Sequence, residues 1–385
     1  MMLLKTAGII PAEARKSKLK FSFAGDSSRL FPKEPKEGTL SRSRELYFSP
    51  RMRRNLFFPF RQKASARFPE GKAVKNEESA MSKKKLSVKL GPLTLPNPIL
   101  TASGTFGYAK EIAGLYDLSR LGGIIPKTIT LAPRPGNKPP RTVEVTAGLL
   151  NAIGLDNDGA DEFLAKKLPW LRGTGAPIIV SFAAKKIDEC ALFAEKFNAA
   201  DGIAALELNI SCPNVSGGVD FGTDPALCEK IVSEMKKYCR LPLCVKLSPN
   251  VTAIAEIAKA AEAGGADIIS AINTLYGLAV DWRRRIPRIG NGYAGYSGPA
   301  VKPVALRCVS QIYRAVKIPV IGIGGIECAE DVMEFLVAGA SAVEVGTANF
   351  YRPDAPIRIL DELPRLLDEA GVSSAADLVG TLKFS

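Results

Sequence analysis

Ala204–Gly222, AALELNISCPNVSGGVDFG, is the stretch from which the rest of the chain can be read. Ala205–Ile210 is a short apolar run ending in an amide, which suits a buried strand whose carboxyl end reaches a polar pocket. The run stops at Ser211-Cys212-Pro213-Asn214, and Gly217-Gly218 keeps the following chain loose. A thiol is thereby left on a strand-end loop between two side-chain amides, Asn209 and Asn214. A lone cysteine is commonly inert core, and the flanking amides are what favour a site here. Outward from this loop come a helical pattern, Ala226–Tyr238, and a second apolar run, Leu243–Leu247.

That unit of strand, polar or glycine-bearing end and helix repeats. Eight strand candidates can be counted: Pro98–Ala102, Gly123–Lys127, Ile178–Phe182, Ala205–Ile210, Leu243–Leu247, Asp267–Ile272, Pro319–Ile323 and Ala342–Val345. Helical patterns such as Ala253–Ala263, Pro303–Val316 and Ala329–Ala338 alternate with them. Eight alternating units predict an α/β fold of the (β/α)8 TIM barrel type, spanning residues 81–385. A doubly wound sheet would need a glycine-rich nucleotide turn after the first strand, where Ser103-Gly104-Thr105-Phe106-Gly107 does not fit. Gly290-Asn291-Gly292-Tyr293-Ala294-Gly295 does match GxGxxG, but it follows Arg283-Arg284-Arg285 rather than a strand and reads as a loop. Two long intervals, 131 to about 158 and 275–299, are expected to be loops covering the catalytic face.

Charge and composition exclude several classes. Residues 1–80 hold 18 Lys and Arg against 8 Asp and Glu, while the remaining 34 against 31 leave the body nearly neutral. The basic segment is rich in Arg, Lys, Ser and Pro and lacks apolar periodicity, so it is expected to be disordered. It reads, in descending order, as a translated upstream region, a transit peptide or a nucleic-acid arm, with Met81-Ser82-Lys83 as the native start. No nucleic-acid motif accompanies it, and no run of 18 apolar residues predicts a membrane span. The seven cysteines are scattered without a CxxC pair, so no metal site is expected and reduced, cytoplasmic thiols are the default. Histidine is absent, so proton chemistry falls to Cys, Lys, Tyr or a carboxylate.

Barrel enzymes place their chemistry at the carboxyl ends of the strands. Ser103, Lys127, Ser181, Asn209, Lys246 and Asn273 close six strands here, and Gly324-Gly325 and Gly346-Thr347 close the last two. A single buried lysine is often a salt-bridged structural residue, but two lysines and several amides on one rim are hard to assign to packing. Glycines after strands seven and eight can be plain turns. Their shared corner instead predicts a phosphate-bearing ligand held by free backbone N–H groups. Lys246 would then set positive charge beside an electron-rich ring such as a flavin.

From about Leu86 onward the chain resembles the dihydroorotate dehydrogenase family, in particular the class 1B catalytic subunit. The resemblance rests on NPILTASGTFG from Asn97, PKTITLAPRPGNKPPR from Pro126, NAIGLDN from Asn151, ELNISCPN from Glu207, VKLSPN from Val245, INT from Ile272, SGPAVKP from Ser297, IGGI from Ile323 and VGTANF from Val345. It implies an FMN-dependent barrel that oxidises (S)-dihydroorotate to orotate in pyrimidine biosynthesis. Cys212 would remove the C5 proton while FMN takes the C6 hydride. Lys127, Asn151, Ala152, Ile153, Gly154, Leu155, Asn209, Asn214, Asn273 and Thr274 would hold the substrate. Ser103, Lys127, Thr128, Ser181, Asn209, Lys246, Ile272, Gly298, Gly324, Gly325, Gly346 and Thr347 would contact FMN. Ser181 departs from the family, which usually has Asn there.

The membrane-bound class uses Ser as its base, so Cys212 points to a soluble enzyme. FGTDP from Phe221 and SGPAVKPVAL from Ser297 resemble class 1B rather than the fumarate-dependent class 1A. Class 1B implies a partner subunit carrying FAD and a 2Fe-2S cluster, NAD as final acceptor, and a homodimer of catalytic subunits within a heterotetramer. This chain has neither a Rossmann turn nor the C-x4-C-x2-C spacing, so those groups belong to the partner. A flavin barrel of the dihydropyrimidine dehydrogenase type and a non-catalytic phosphate-binding barrel are the alternatives.

Overall fold

The computed structural model describes residues 86–211 and 221–384. The expected disorder of residues 1–80 and the start at Met81 lie outside the described residues.

Eight strands form the barrel: Ile99–Thr101, Gly123–Ile124, Ile179–Phe182, Ala205–Asn209, Leu243–Leu247, Ile268–Ala271, Val320–Ile323 and Ala340–Val345. All pair in parallel, in the cyclic order second, first, eighth, seventh, sixth, fifth, fourth, third. A parallel bridge from Ile124 to Ile178 joins the two edges and closes the ring. Closure removes free edges, and successive side chains alternate between the barrel interior and the surrounding helices. The TIM-barrel reading and its eight strand positions hold.

The second strand is shorter than the expected Gly123–Lys127. Pro126 has no N–H to give the ladder, and the Ile125 N–H goes to Thr101 Oγ1 at 3.2 Å. The chain touches the sheet again at Ile129, which bridges to Phe182.

Helices Glu189–Asn198, Pro225–Tyr238, Ile254–Ala263, Lys302–Tyr313, Ala329–Ala338 and Ala355–Glu369 clothe the barrel. Pro225–Tyr238 starts where the sequence dictates: Asp224 caps the Leu227 N–H at 3.0 Å, and Pro225 takes a first-turn position whose N–H would be unbonded anyway. Fully buried Phe182, Phe193 and Phe197 join the third strand to the helix after it, with ring centroids 4.9 to 5.5 Å apart. Beneath the barrel, the hairpin Val88–Leu90 with Leu93–Leu95 turns at Gly91, whose φ is +58° and which lies against the Asp267 carbonyl.

The two long intervals are more ordered than loops. Thr142–Val145, Gly148–Asn151, Ala294–Ser297 and Leu275–Gly277 pair antiparallel into a four-stranded rim sheet. Leu150, Ala279, Ile289 and Ala294 give that sheet a buried cluster of its own. Gly290–Gly295 runs through a turn into a rim strand, not from a strand into a helix, as the rejection of a nucleotide fingerprint expected. Among the described residues, no helix is long and apolar enough to cross a membrane and no cluster of side chains could hold a metal ion.

Candidate functional site

The rim sheet is tied to the strand ends by side chains. Thr347 Oγ1, after the eighth strand, donates to Ser297 Oγ at 2.8 Å. Asn157, buried, accepts the Thr130 N–H at 3.1 Å and donates to Thr130 Oγ1 at 2.9 Å, anchoring the interval that follows the second strand. Asn250, after the fifth strand, donates to the Thr274 carbonyl at 3.0 Å and accepts the Tyr276 N–H at 2.9 Å. Asn157 and Asn250 are not among the site residues expected from the sequence, although each ends a motif, NAIGLDN and VKLSPN, and that position is the signal they leave.

Asn209 and Asn273 meet across the fifth strand: Asn273 Nδ2 donates to Asn209 Oδ1 at 3.2 Å. The same oxygen accepts the Ser211 N–H at 3.2 Å, so it is oriented from two sides. Asn273 Oδ1 takes the Thr274 N–H at 2.8 Å. Half-buried Lys127, three residues past the second strand, has no ion-pair or side-chain hydrogen-bond partner among the described residues. Its ammonium is available to an anion. Asn151 ends a rim strand and donates to the Gly295 carbonyl at 3.3 Å. From it run Ala152, Ile153, Gly154 and Leu155, held by Asn137 through the Ile153 carbonyl at 3.0 Å and the Ala152 carbonyl at 3.1 Å. Gly154 has φ +77° and no room for a Cβ, which would fall 2.6 Å from Asn137. Leu155, at φ +55°, is strained by the same turn.

A chain of hydroxyls comes from three strands. Ser103 Oγ and Thr128 Oγ1 are 2.6 Å apart, and Thr128 Oγ1 and Ser181 Oγ are 2.9 Å apart. Ser181 is fully buried, so its hydroxyl supports Thr128 rather than reaching outward. Buried Ile272 continues the sixth strand by donating its N–H to the Ile323 carbonyl at 3.0 Å.

The last two strand ends and the turn at Gly298 carry glycines in unusual conformations. Gly298, Gly324 and Gly325 have φ of +115°, +132° and +73°, and a Cβ on any of them would lie 2.7 to 2.8 Å from a neighbouring carbon. The amides of Gly325, Gly346 and Thr347 donate to no backbone carbonyl among the described residues. Backbone that only glycine can follow at these close contacts, with undirected N–H groups beside it, suits a phosphate.

Lys246 lies inside the barrel. It pairs in register with Asn209 and Ser270, and its Nζ is 2.9 Å from Glu344 Oε2 and 3.7 Å from Glu207 Oε1. Burial works to discharge Lys246, but the two carboxyl groups more than offset it, and the ammonium is held above the usual lysine range.

Cys212 and Asn214 lie outside the described residues, between Ser211 and Phe221. The six described thiols are not poised to act as bases. Burial pushes Cys190 and Cys228 up to about 12 and Cys328 to about 11, and raises Cys239, Cys244 and Cys308 as well.

A family model described as dihydroorotate dehydrogenase matches residues 85–367. A Solidesulfovibrio magneticus protein named dihydroorotate dehydrogenase B (NAD(+)), catalytic subunit, is 52% identical over 299 residues, covering 77% of this chain and 98% of the relative. The protein of the same name from Geobacter sulfurreducens is 49% identical over 304 residues, 79% of this chain and all of the relative. That from Halalkalibacterium halodurans is 48% identical over 297 residues, 77% and 97%.

Proposed function

Because the chain belongs to the dihydroorotate dehydrogenase family, we propose that it oxidises (S)-dihydroorotate to orotate in pyrimidine biosynthesis, as the catalytic subunit of an NAD-linked enzyme. The observation that carries this is the pairing, across one rim, of a lysine without a side-chain partner among the described residues and oriented amides with a glycine cradle for phosphate. The cradle and Lys246 fit FMN, which when bound supplies the electron acceptor. Gly298, Gly324, Gly325, Gly346 and Thr347 would hold its phosphate, and Lys246 would face its ring. The hydroxyl chain through Ser103 and Thr128 would hold the ring system from the other side.

For the substrate, Lys127 supplies a charge for the carboxylate, while Asn151, Asn209, Asn214 and Asn273 match a planar ring edged by amides. Cys212 is the residue assigned to the C5 proton, since the chain has no histidine and the six described thiols are held protonated. Rim residues Leu278, Val280, Trp282 and Tyr293 are exposed, an apolar surface of the kind a partner subunit covers. The partner reading is an electron-transfer subunit with FAD and 2Fe-2S, joined to a dimer of this chain in the cytoplasm.

The purified protein should be yellow, and dihydroorotate should bleach it anaerobically. Bleaching by dihydrouracil instead would move the chain to the dihydropyrimidine type, and a colourless protein that takes up no FMN would remove the flavin reading. NAD reduction should need a second protein: this chain alone passes electrons to an artificial dye but not to NAD. Efficient NAD reduction by the isolated chain would end the class 1B assignment. Residues 1–80 should be dispensable, because they carry no apolar face and the relatives align almost whole with about 300 residues of the body. A chain starting at Met81 keeps flavin and turnover; loss of either would put the domain boundary elsewhere.

A further inference from the structure

Two carboxyl groups and one ammonium occupy the barrel interior below the strand ends, and their formal charges do not cancel. Glu207 and Glu344 are fully buried and Lys246 is 5% exposed. Ser270 Oγ donates to Glu207 Oε2 at 2.9 Å, and Lys246 Nζ to Glu344 Oε2 at 2.9 Å. The Oε1 atom of each carboxyl has no hydrogen-bond partner among the described residues. Ionised throughout, the group would carry one uncompensated negative charge in a dry interior, a costly arrangement. Carboxyl groups that share a site resolve this by keeping a proton, as a pair rather than singly. Glu344 bears that mark: burial, then the charge of Glu207, pushes it well above the ordinary carboxyl range against the pull of Lys246.

We infer that Glu207 and Glu344 share one proton, which leaves the floor of the site neutral, with Lys246 fixed as its cation. Lys246 has three N–H groups. One is committed to Glu344, and Glu207 at 3.7 Å is beyond hydrogen-bond range, so N–H capacity remains for a ligand. A negative floor would oppose the arrival of electrons above it; a neutral floor leaves the ammonium free to favour them. Glu207 and Glu344 are thus positioning residues that act through Lys246. The part concerning electrons rests on the flavin reading above, while the shared proton does not.

Isotope-edited infrared spectroscopy, with the label in the glutamate carboxyls, reads the proton directly and needs no cofactor. The wild-type protein should show a buried protonated-carboxyl band at neutral pH. That band should vanish in both Glu207→Gln and Glu344→Gln, because the remaining carboxyl then pairs with Lys246 alone. Absence of the band in the wild type, or its survival in either variant, overturns the shared proton. In parallel, the ratio of reduced to oxidised flavin is measured in a fixed dihydroorotate and orotate mixture. It should stay within about twofold in each single variant, since each keeps the floor neutral. A rise of roughly tenfold, the scale of one unit charge acting over ~10 Å at an effective dielectric of about 20, would mean that both carboxyls had been ionised. A protein that binds no flavin would sink the functional reading and leave the infrared result to decide the proton.

Discussion

Replacing Cys212 with Ala should slow reduction of the bound flavin by dihydroorotate by roughly 10²- to 10⁴-fold, the usual worth of a positioned general base, while flavin binding is unchanged. Removing a proton from C5 requires a base, and the chain offers no imidazole. Lys246 is engaged with two carboxyl groups, and Lys127 is better used as a charge for the substrate. A thiol with a free pKa of about 8.5 is within reach of use near neutral pH. Cys212→Ser should retain slight activity that rises with pH, because a hydroxyl ionises far less readily than a thiol. Stopped-flow bleaching decides the matter, and an Ala variant reduced at the wild-type rate would place the base elsewhere.

The second large effect is on stability. Lys246→Met removes the cation from two buried carboxyl groups and should cost ~3–5 kcal/mol in denaturant unfolding, the range for breaking a buried ion pair from one side. The loss depends on pH in a definite direction. Glu344 is raised in the folded protein, so the native state binds more protons than the unfolded chain once the pH exceeds the unfolded glutamate value of about 4.3. Stability therefore falls as pH rises above that value, and falls further without Lys246 to oppose the carboxyl charge. The gap between variant and wild type should narrow toward pH 4–5. A gap independent of pH would mean that the carboxyls do not sense the loss of Lys246.

How much of this was legible in the sequence depended on the range of the interaction. Leu243–Leu247 appears in the structure with the bounds its apolar run gave it, and Ala329–Ala338 likewise, because burial on both faces or one helical stripe leaves a local signature. Gly148–Asn151 and Ala294–Ser297 left none. They are short and half-exposed, and each is completed by a partner some 146 residues away. The strand-end rule pointed to Lys127, Asn209, Lys246 and Asn273, which stand at or just past the carboxyl ends of barrel strands. It passed over Glu207 and Glu344, which sit one inward step below Asn209 and Gly346, because a glutamate in an apolar strand is recognisable only once its counter-ion across the barrel is known.

The rim sheet has a hydrophobic cluster separate from the main core, and its strands come from two insertions rather than from the barrel repeat. Such a unit can melt without taking the barrel with it. Amide hydrogens of Leu149, Leu150 and Tyr296 should accordingly exchange with deuterium long before those of Val245 or Ile269, through an opening that leaves all eight parallel strands paired. The residence time of a molecule held beneath that sheet is then set by the opening rate of four short strands, not by the global unfolding of the protein.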